Sequence, residues 1–269
     1  MFSHFFSIKS QIGEMKIVDV ESFEKISKLR KIIEESKKIV FFGGAGVSTE
    51  SGIPDFRSAN GIYSQKLNRH FSPEELISHT MYLKYPEDFY DFYKKNLIYK
   101  KAKPNFAHFY LAKLEKEGKL SAVVTQNIDC LHEMAGSKNV LKVHGTIDRN
   151  ICTKCGKVYN LDEFLSFCER EEIPHCPDCG GVIKPDVTLY EEGLNMEVFS
   201  EAIRQISNAD TLIIGGTSLI VHPAASLIQY FNGKNLVLIN KSSTDKDYLA
   251  NLVIHDKIGE VFKKLKKII

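Results

Sequence analysis

Apolar residues return along this chain in two rhythms. Val20, Phe23, Ile26, Leu29, Ile32 and Ile33 recur at the spacing of one helix face, which leads into residue 38. Ile39, Val40, Phe41 and Phe42 then follow without a polar break, as in a strand covered on both sides, and the run stops at Gly43-Gly44-Ala45-Gly46. The helical rhythm returns over 104–117, 195–207, 223–232 and 258–267, and short apolar runs stand between at 122–124, 140–143, 211–214 and 236–239. Helices alternating with short buried strands predict an α/β fold, a parallel sheet with helices on both faces. Residues 59–105 break the alternation: Tyr, Phe, Lys and Pro scatter through short helical pieces, with Ser72 before Pro73 and Glu75 as a helix start. So long an excursion between strands is expected to pack as a lobe or lid of its own.

In an open parallel sheet, ligands bind beyond the carboxyl ends of the strands. The expected strand ends here carry small or polar residues: 43–46, 125–129, His144-Gly145, 215–218, and Asn240 closing the last strand. Glycines after a strand let backbone approach a ligand, and successive free N–H groups there cradle phosphate, so a nucleotide is the first expectation. The dehydrogenase fingerprint is absent. Thr49 stands where its third glycine or alanine would be, and Lys66 occupies the region where an acid would hold a ribose hydroxyl, which leaves a purely structural turn open as the alternative. Asp55, Phe56 and Arg57 follow Pro54 on a loop beside this turn. In the 125–132 cluster, Asn and Asp equally suit turns and helix caps, His132 reads as structural, and Cys130 as a small buried filler. His144 is the candidate for proton transfer, since imidazole titrates near neutrality and the adjacent Gly145 leaves room for a substrate hydroxyl.

Cys152-x-x-Cys155 and Cys176-x-x-Cys179 have twenty residues between the pairs, and Gly156 and Gly180-Gly181 permit tight knuckles. Four thiolates suit tetrahedral zinc and leave no open position, so the metal is expected to be structural. Two disulfides or four free thiols are the alternatives; Cys130 and Cys168, outside the set, point to a reducing compartment. His175 reads as a neighbour of the cluster.

Composition narrows the class. At 269 residues, 43% hydrophobic and 26% charged, the chain can bury one large core or a main domain with a satellite. No membrane span is expected, because the longest apolar candidate, 212–221, is interrupted by Gly215, Gly216, Thr217 and Ser218. The first fourteen residues lack the charge pattern of a signal peptide, and Met15 is a possible alternative start. A net charge of +2 gives no reason to expect nucleic-acid binding, and the lysines of 263–267 read as the solvated face of a last helix.

GAGVSTESGIPDFRS at 44–58, TQNIDCLH at 125–132, His144-Gly145, the two Cys pairs and GTSLIVHPA at 216–224 occur in the order found in the sirtuins, the NAD-dependent protein deacylases, which the chain resembles from about residue 40 to 240. The short flanks suggest a bacterial or archaeal-type minimal catalytic core. The resemblance implies one cytoplasmic catalytic unit. Its Rossmann-like NAD domain would comprise 15–58, 104–148 and 190–269, and its small domain a helical lobe (59–103) and a zinc ribbon (149–189). NAD would meet Gly44, Ala45, Gly46, Thr49, Asp55, Phe56 and Arg57, the last three under a covering loop that runs to Tyr63. Gln126 and Asn127 would lie on its ribose side, Ile128 and Asp129 at the nicotinamide, and Gly216, Thr217, Ser218, Asn240 and Lys257 along the remainder.

His144 would be the general base, with Asn127 beside it. Nicotinamide leaves, a ribose hydroxyl takes over the acyl group, and the products are free lysine and O-acyl-ADP-ribose. The acyl-lysine peptide would lie as an added strand between 184–192 and 216–223, touching Val187, Thr188, Tyr190 and Val221. Thr188 and Tyr190-Glu191-Glu192 depart from the usual valine and Phe-Gly-Glu, which puts the peptide preference in doubt. Members that remove acidic acyl groups pair a tyrosine with an arginine three residues on; Tyr63 is followed by Lys66 instead, which favours acetyl or uncharged acyl groups. An NAD-dependent protein ADP-ribosyltransferase is the alternative reading, and a non-enzymatic zinc-ribbon module leaves the strand ends unexplained.

Overall fold

The computed structural model describes residues 20–58, 61–64 and 71–267. Met15, Gln65 and Lys66 lie outside them. Helix α1 (20–35) precedes β1 (Ile39–Gly43), and two single 3-10 turns, Ala45–Val47 and Thr49–Ser51, follow. Then come α2 (Pro73–Leu76), α3 (His79–Lys84), α4 (Pro86–Asn96), α5 (Phe106–Lys116), β2 (Leu120–Thr125), α6 (Leu131–Met134) and β3 (Val140–Lys142). The second half holds β4 (Gly145–Cys152), β5 (Val158–Tyr159), α7 (Leu161–Cys168), β6 (Ile183–Val187), α8 (Met196–Ser207), β7 (Thr211–Gly215), β8 (Asn235–Ile239), β9 (Leu252–Ile254) and α9 (Ile258–Lys267).

Six strands form one sheet in the order β3-β2-β1-β7-β8-β9, and every neighbouring pair is parallel. The unbroken apolar runs of β1 and β7 are explained by cover on both faces. Ile39 and Phe41 point to a core with Leu29 of α1, Leu111 of α5 and Phe262 of α9, whereas Val40 and Phe42 point to one with Phe199, Ala202 and Ile206 of α8. Expected and observed elements differ at several places. The 104–117 helix begins only at Phe106, because Asn105 has extended backbone and caps it. The 223–232 helix is a 3-10 segment, Ala224–Tyr230. Strand β9 was not expected, since three residues carry no period, and Asn240 therefore closes the penultimate strand.

A third core joins the helical excursion to the cysteine-bearing segment. Phe89, Tyr90, Phe92 and Tyr93 of α4 pack with Tyr159, Phe164 and Ile183, and Tyr90 Oη donates to the Ile183 carbonyl at 2.9 Å. Here β4 pairs antiparallel with β5 and β6. None of the six cysteines is in a disulfide. The sulfurs of Cys152, Cys155, Cys176 and Cys179 lie within 4.8 Å of one another, with Cys152–Cys179 at 3.4 Å and Cys155–Cys176 at 3.8 Å. A Zn–S bond of about 2.3 Å sets a tetrahedral edge of about 3.8 Å, so the donor set fits zinc and excludes the disulfide reading. A Cβ on Gly181 would stand 2.8 Å from Cys152 Sγ, which is why glycine follows the second knuckle. Tyr159 Oη lies 3.0 Å from Cys176 Sγ and, as donor, pulls that thiol down to about 6. His175 bonds Glu171 and stays outside the set.

Where α5 meets α6, His108 and His132 are fully buried with ring centroids 4.7 Å apart, and His108 Nε2 and both His132 nitrogens have no hydrogen-bond partner. Burial pushes His108 down to about 4 and His132 well below the ordinary range, the latter helped by His108 and Lys142. His132 is structural, as expected.

Two outcomes follow. Stripping zinc with a chelator should remove the near-ultraviolet dichroism of the tyrosine-rich third core while leaving most helical signal; an unchanged near-ultraviolet spectrum in metal-free protein would contradict a structural metal. Because both buried histidines titrate lower folded than unfolded, their stabilisation is complete above about pH 6.5 and is lost as pH falls toward 4, roughly 3 kcal/mol for His108 alone. The urea midpoint should therefore drop between pH 7 and 5, and drop less in His132→Leu; equal slopes in the two proteins would refute the account.

Candidate active site

One row of paired residues crosses the whole sheet: Lys142, Thr125, Gly43, Gly215, Ile239 and Ile254. The residues just beyond it are His144, Gln126, Gly44, Gly216 and Asn240, so strand register alone assembles the expected motifs on one rim. They border a cavity of about 1140 Å³, and every cofactor-site and substrate-site residue expected from the sequence lines it, from the glycine loop to Val187, Thr188, Tyr190, Val221, Asn240 and Lys257.

The glycines of the first loop have a packing reason beside the expected one. A Cβ on Gly46 would meet the Gly216 backbone at 2.7 Å, and one on Gly44 would meet Thr217 at 2.8 Å, so glycine lets the β1 and β7 loops touch. Nor are the N–H groups of this loop left free in succession: those of Gly44, Gly46, Val47 and Ser48 donate to Gly215, Gly216, Gly44 and Ala45 carbonyls. Gln126 Nε2 donates to Thr217 Oγ1 at 3.0 Å and ties the β2 end to the same place.

Beneath the loop lies a polar chain that sequence reasoning missed in part. Asn127 Nδ2 donates to Ser48 Oγ at 3.0 Å, and Ser48 Oγ donates to Asp129 Oδ2 at 2.8 Å; Ser48 is 1% exposed and Asn127 9%. Ser48 brings no length or charge of its own, and only its place in the loop marks it. Asp129 Oδ1 also caps the Leu131 N–H. Cys130 is not a buried filler. Its thiol borders the cavity, and Lys142 Nζ, paired with Glu133 at 2.7 Å, approaches its sulfur to 3.3 Å.

His144 Nδ1 lies 3.0 Å from the Gln126 carbonyl, which can only accept, so Nδ1 carries the proton and Nε2 remains as the acceptor. Burial lowers its pKa, partly opposed by that backbone bond. Gly145 has φ +80°, and a Cβ there would stand 2.1 Å from the Asp186 carbonyl oxygen. The glycine of the His-Gly pair thus also lets the start of β4 lie against β6. Strand β6 stops at Val187; Thr188 N–H still reaches the His144 carbonyl at 2.9 Å, but residues 188–192 turn away, held by Leu189 N–H on Glu192 Oε2 and by Tyr190 between Ile77 and His79. The expected strand over 184–192 is therefore half as long.

Across the cavity the covering loop closes on itself, with Ile62 N–H on the Asp55 carbonyl, Tyr63 N–H on Phe56, and Asp55 Oδ1 accepting from Ser58. Asp55 is engaged in shaping this turn. Tyr63 Oη lies 3.0 Å from Tyr190 Oη, and Arg57 Nη2 donates to Tyr190 at 3.3 Å. Burial, then Tyr190, raises the Tyr63 phenol. The tyrosine that stands at 190 in place of phenylalanine thus uses its hydroxyl to join the loop to the segment after β6.

Among the described residues no helix is long and apolar enough to cross a membrane. The Sir2 family profile matches residues 44–223. A protein named NAD-dependent protein deacetylase from Clostridium perfringens is 60% identical over 90% of this chain and 98% of its own. One of the same name from Clostridium acetobutylicum is 56% identical over 89% and 97%. A Sir2 structure with a deacetylated p53 peptide and 3'-O-acetyl ADP ribose superposes with a TM-score of 0.84 at 36% identity, covering 90% of this chain and 98% of that one. A Sir2 complex with p53 peptide and NAD+ gives 0.79 at 37% over 90% and 97%. Agreement of motif order, strand-end placement and likeness over nine-tenths of the chain makes this protein a member of the Sir2 family, the sirtuins.

Proposed function

We propose that the protein is an NAD-dependent protein-lysine deacetylase, and the observation that carries this is His144, fixed in one tautomer where the glycine loop, the 125–129 cluster and the end of β6 meet. NAD, the co-substrate, would lie along Gly44, Ala45, Gly46, Thr49, Gln126, Asn240 and Lys257, under Asp55, Phe56 and Arg57. Its nicotinamide end would face Ile128 and the Ser48-Asn127-Asp129 chain, and its phosphates the hydroxyls of Thr217 and Ser218. Acetyl-lysine would enter between Val187, Thr188 and Tyr190 on one side and Val221 on the other, held mainly by backbone hydrogen bonds. NAD supplies the electrophilic ribose carbon and the acyl acceptor.

The chain's residues hold the amide oxygen against that carbon, exclude water that would otherwise hydrolyse NAD, and remove one ribose hydroxyl proton at His144 Nε2. Acetyl and acyl chains without charge are the favoured substrates. The division into a Rossmann-like NAD domain and a small zinc-bearing domain fits the three cores, and Cys130 and Cys168, unpaired outside the metal cluster, support a cytoplasmic setting.

Mass spectrometry of an acetyl-lysine peptide tests this directly: deacetylation should require NAD and yield O-acetyl-ADP-ribose in equal amount. NAD consumption with ADP-ribose left on protein would favour the transferase reading. His144→Ala should lower kcat by about 10²-fold or more while NAD binding and the thermal midpoint persist. Since the base must be neutral and burial lowers its pKa, kcat/KM should hold at pH 6.5 and fall with an apparent pKa below that value. An acid limb above pH 7 would exclude His144 as the titrating base.

A further inference from the structure

The cofactor loop contains two consecutive single-turn 3-10 helices, and neither has a side-chain cap of its own. Such turns are poorly self-supporting, so something outside must hold their carbonyls. Asn105 does so. Its Nδ2 donates to the Val47 carbonyl at 2.7 Å and to Ser51 Oγ at 3.0 Å, its Oδ1 accepts from Ala107 N–H at 2.9 Å as the cap of α5, and its own N–H donates to His108 Nδ1 at 3.2 Å. One amide therefore joins the half-buried start of α5 to both turns of the loop. On the opposite side Glu50 Oε2 accepts the Gly259 N–H of α9 at 2.7 Å, so the loop is spanned between two helix N-termini.

We propose that Asn105 is a positioning residue for NAD: its amide N–H groups hold the glycine loop in the shape that receives the dinucleotide, separately from its role as a helix cap. The inference rests on the deacetylase reading for the identity of the ligand. Asparagine is suited to both tasks because one end of the amide accepts and the other donates. An aspartate keeps the first task and loses the second. A serine, also a good cap and neutral, is too short to reach Val47.

The test is NAD affinity by titration calorimetry, with steady-state kinetics, on Asn105→Asp and Asn105→Ser. Two lost hydrogen bonds should raise the Kd and KM for NAD about tenfold or more in both variants. The KM for acetyl-lysine peptide and kcat at saturating NAD should stay within about twofold, and the thermal midpoint within a few degrees. Agreement of the two variants excludes simple repulsion between the new carboxylate and the NAD phosphates. A lowered thermal midpoint with unchanged NAD affinity in either soluble variant would reduce Asn105 to a cap and overturn the proposal. Wild-type protein that does not bind NAD would overturn the deacetylase reading itself.

Discussion

The in-register ends of the parallel strands are the constraint on which the rest depends. With both faces of the sheet buried, β1 and β7 carry no polar side chain past Thr211 at the opposite end, so polar chemistry near the site can appear only where the ladder stops. Because Lys142, Thr125, Gly43, Gly215, Ile239 and Ile254 pair in one row, all strands stop at one level, and segments distant in sequence deliver their polar residues to one rim. The same closeness limits side-chain size. A Cβ on Gly215 would meet Ile258 at 2.3 Å and Phe41 at 2.9 Å, so glycine at this level serves core packing as much as ligand access.

The second lobe is coupled to that rim through backbone. Gly145 and Val187 pair where the chain passes from β3 of the large sheet into β4 of the small one, and the His144 carbonyl accepts from Thr188 N–H. The other end of β4 is Cys152, one of the four cysteines whose arrangement fits zinc, so the strand that starts beside the proposed base ends in that cluster. A structural metal about one strand length away can therefore affect catalysis without touching substrate, because it fixes the partner strand that the histidine's own backbone bonds.

Much of this was legible in the linear pattern. The buried strands, the cysteine ligands and the polar strand ends each follow from local chemistry that a single segment contains. What escaped depends on contacts between segments. Asn105 read as the interior of a helix beginning at Pro104, although an asparagine before an amphipathic run is a cap signal; that its amide also holds Val47, 58 positions earlier, is not visible in any window. Gly46 and Gly145 were seen as glycines, but the neighbours that require them, Gly216 and Asp186, come from β7 and β6. Thr188 to Glu192 alternate as a strand would, yet the Lys184–Glu192 pair and the bond from Leu189 turn them aside. Side-chain bonds within a few residues here override the period.

The choice of partner for His144 bears on what it can do. A carboxylate at Nδ1 would orient the ring equally well, but at about 4 Å and an effective dielectric near 20 it would favour the imidazolium by about 4 kcal/mol, roughly three pKa units. The ring would then be charged at neutral pH and unable to take a proton. The Gln126 carbonyl orients the same nitrogen without a full charge, and burial moves the pKa the other way. Because Gln126 directly follows β2 and its own N–H donates to the Gly43 carbonyl at 3.0 Å, its carbonyl is positioned by backbone and does not depend on a side-chain rotamer. The geometry that gathers the site thus also favours the neutral form of the proposed base and fixes which nitrogen carries the proton.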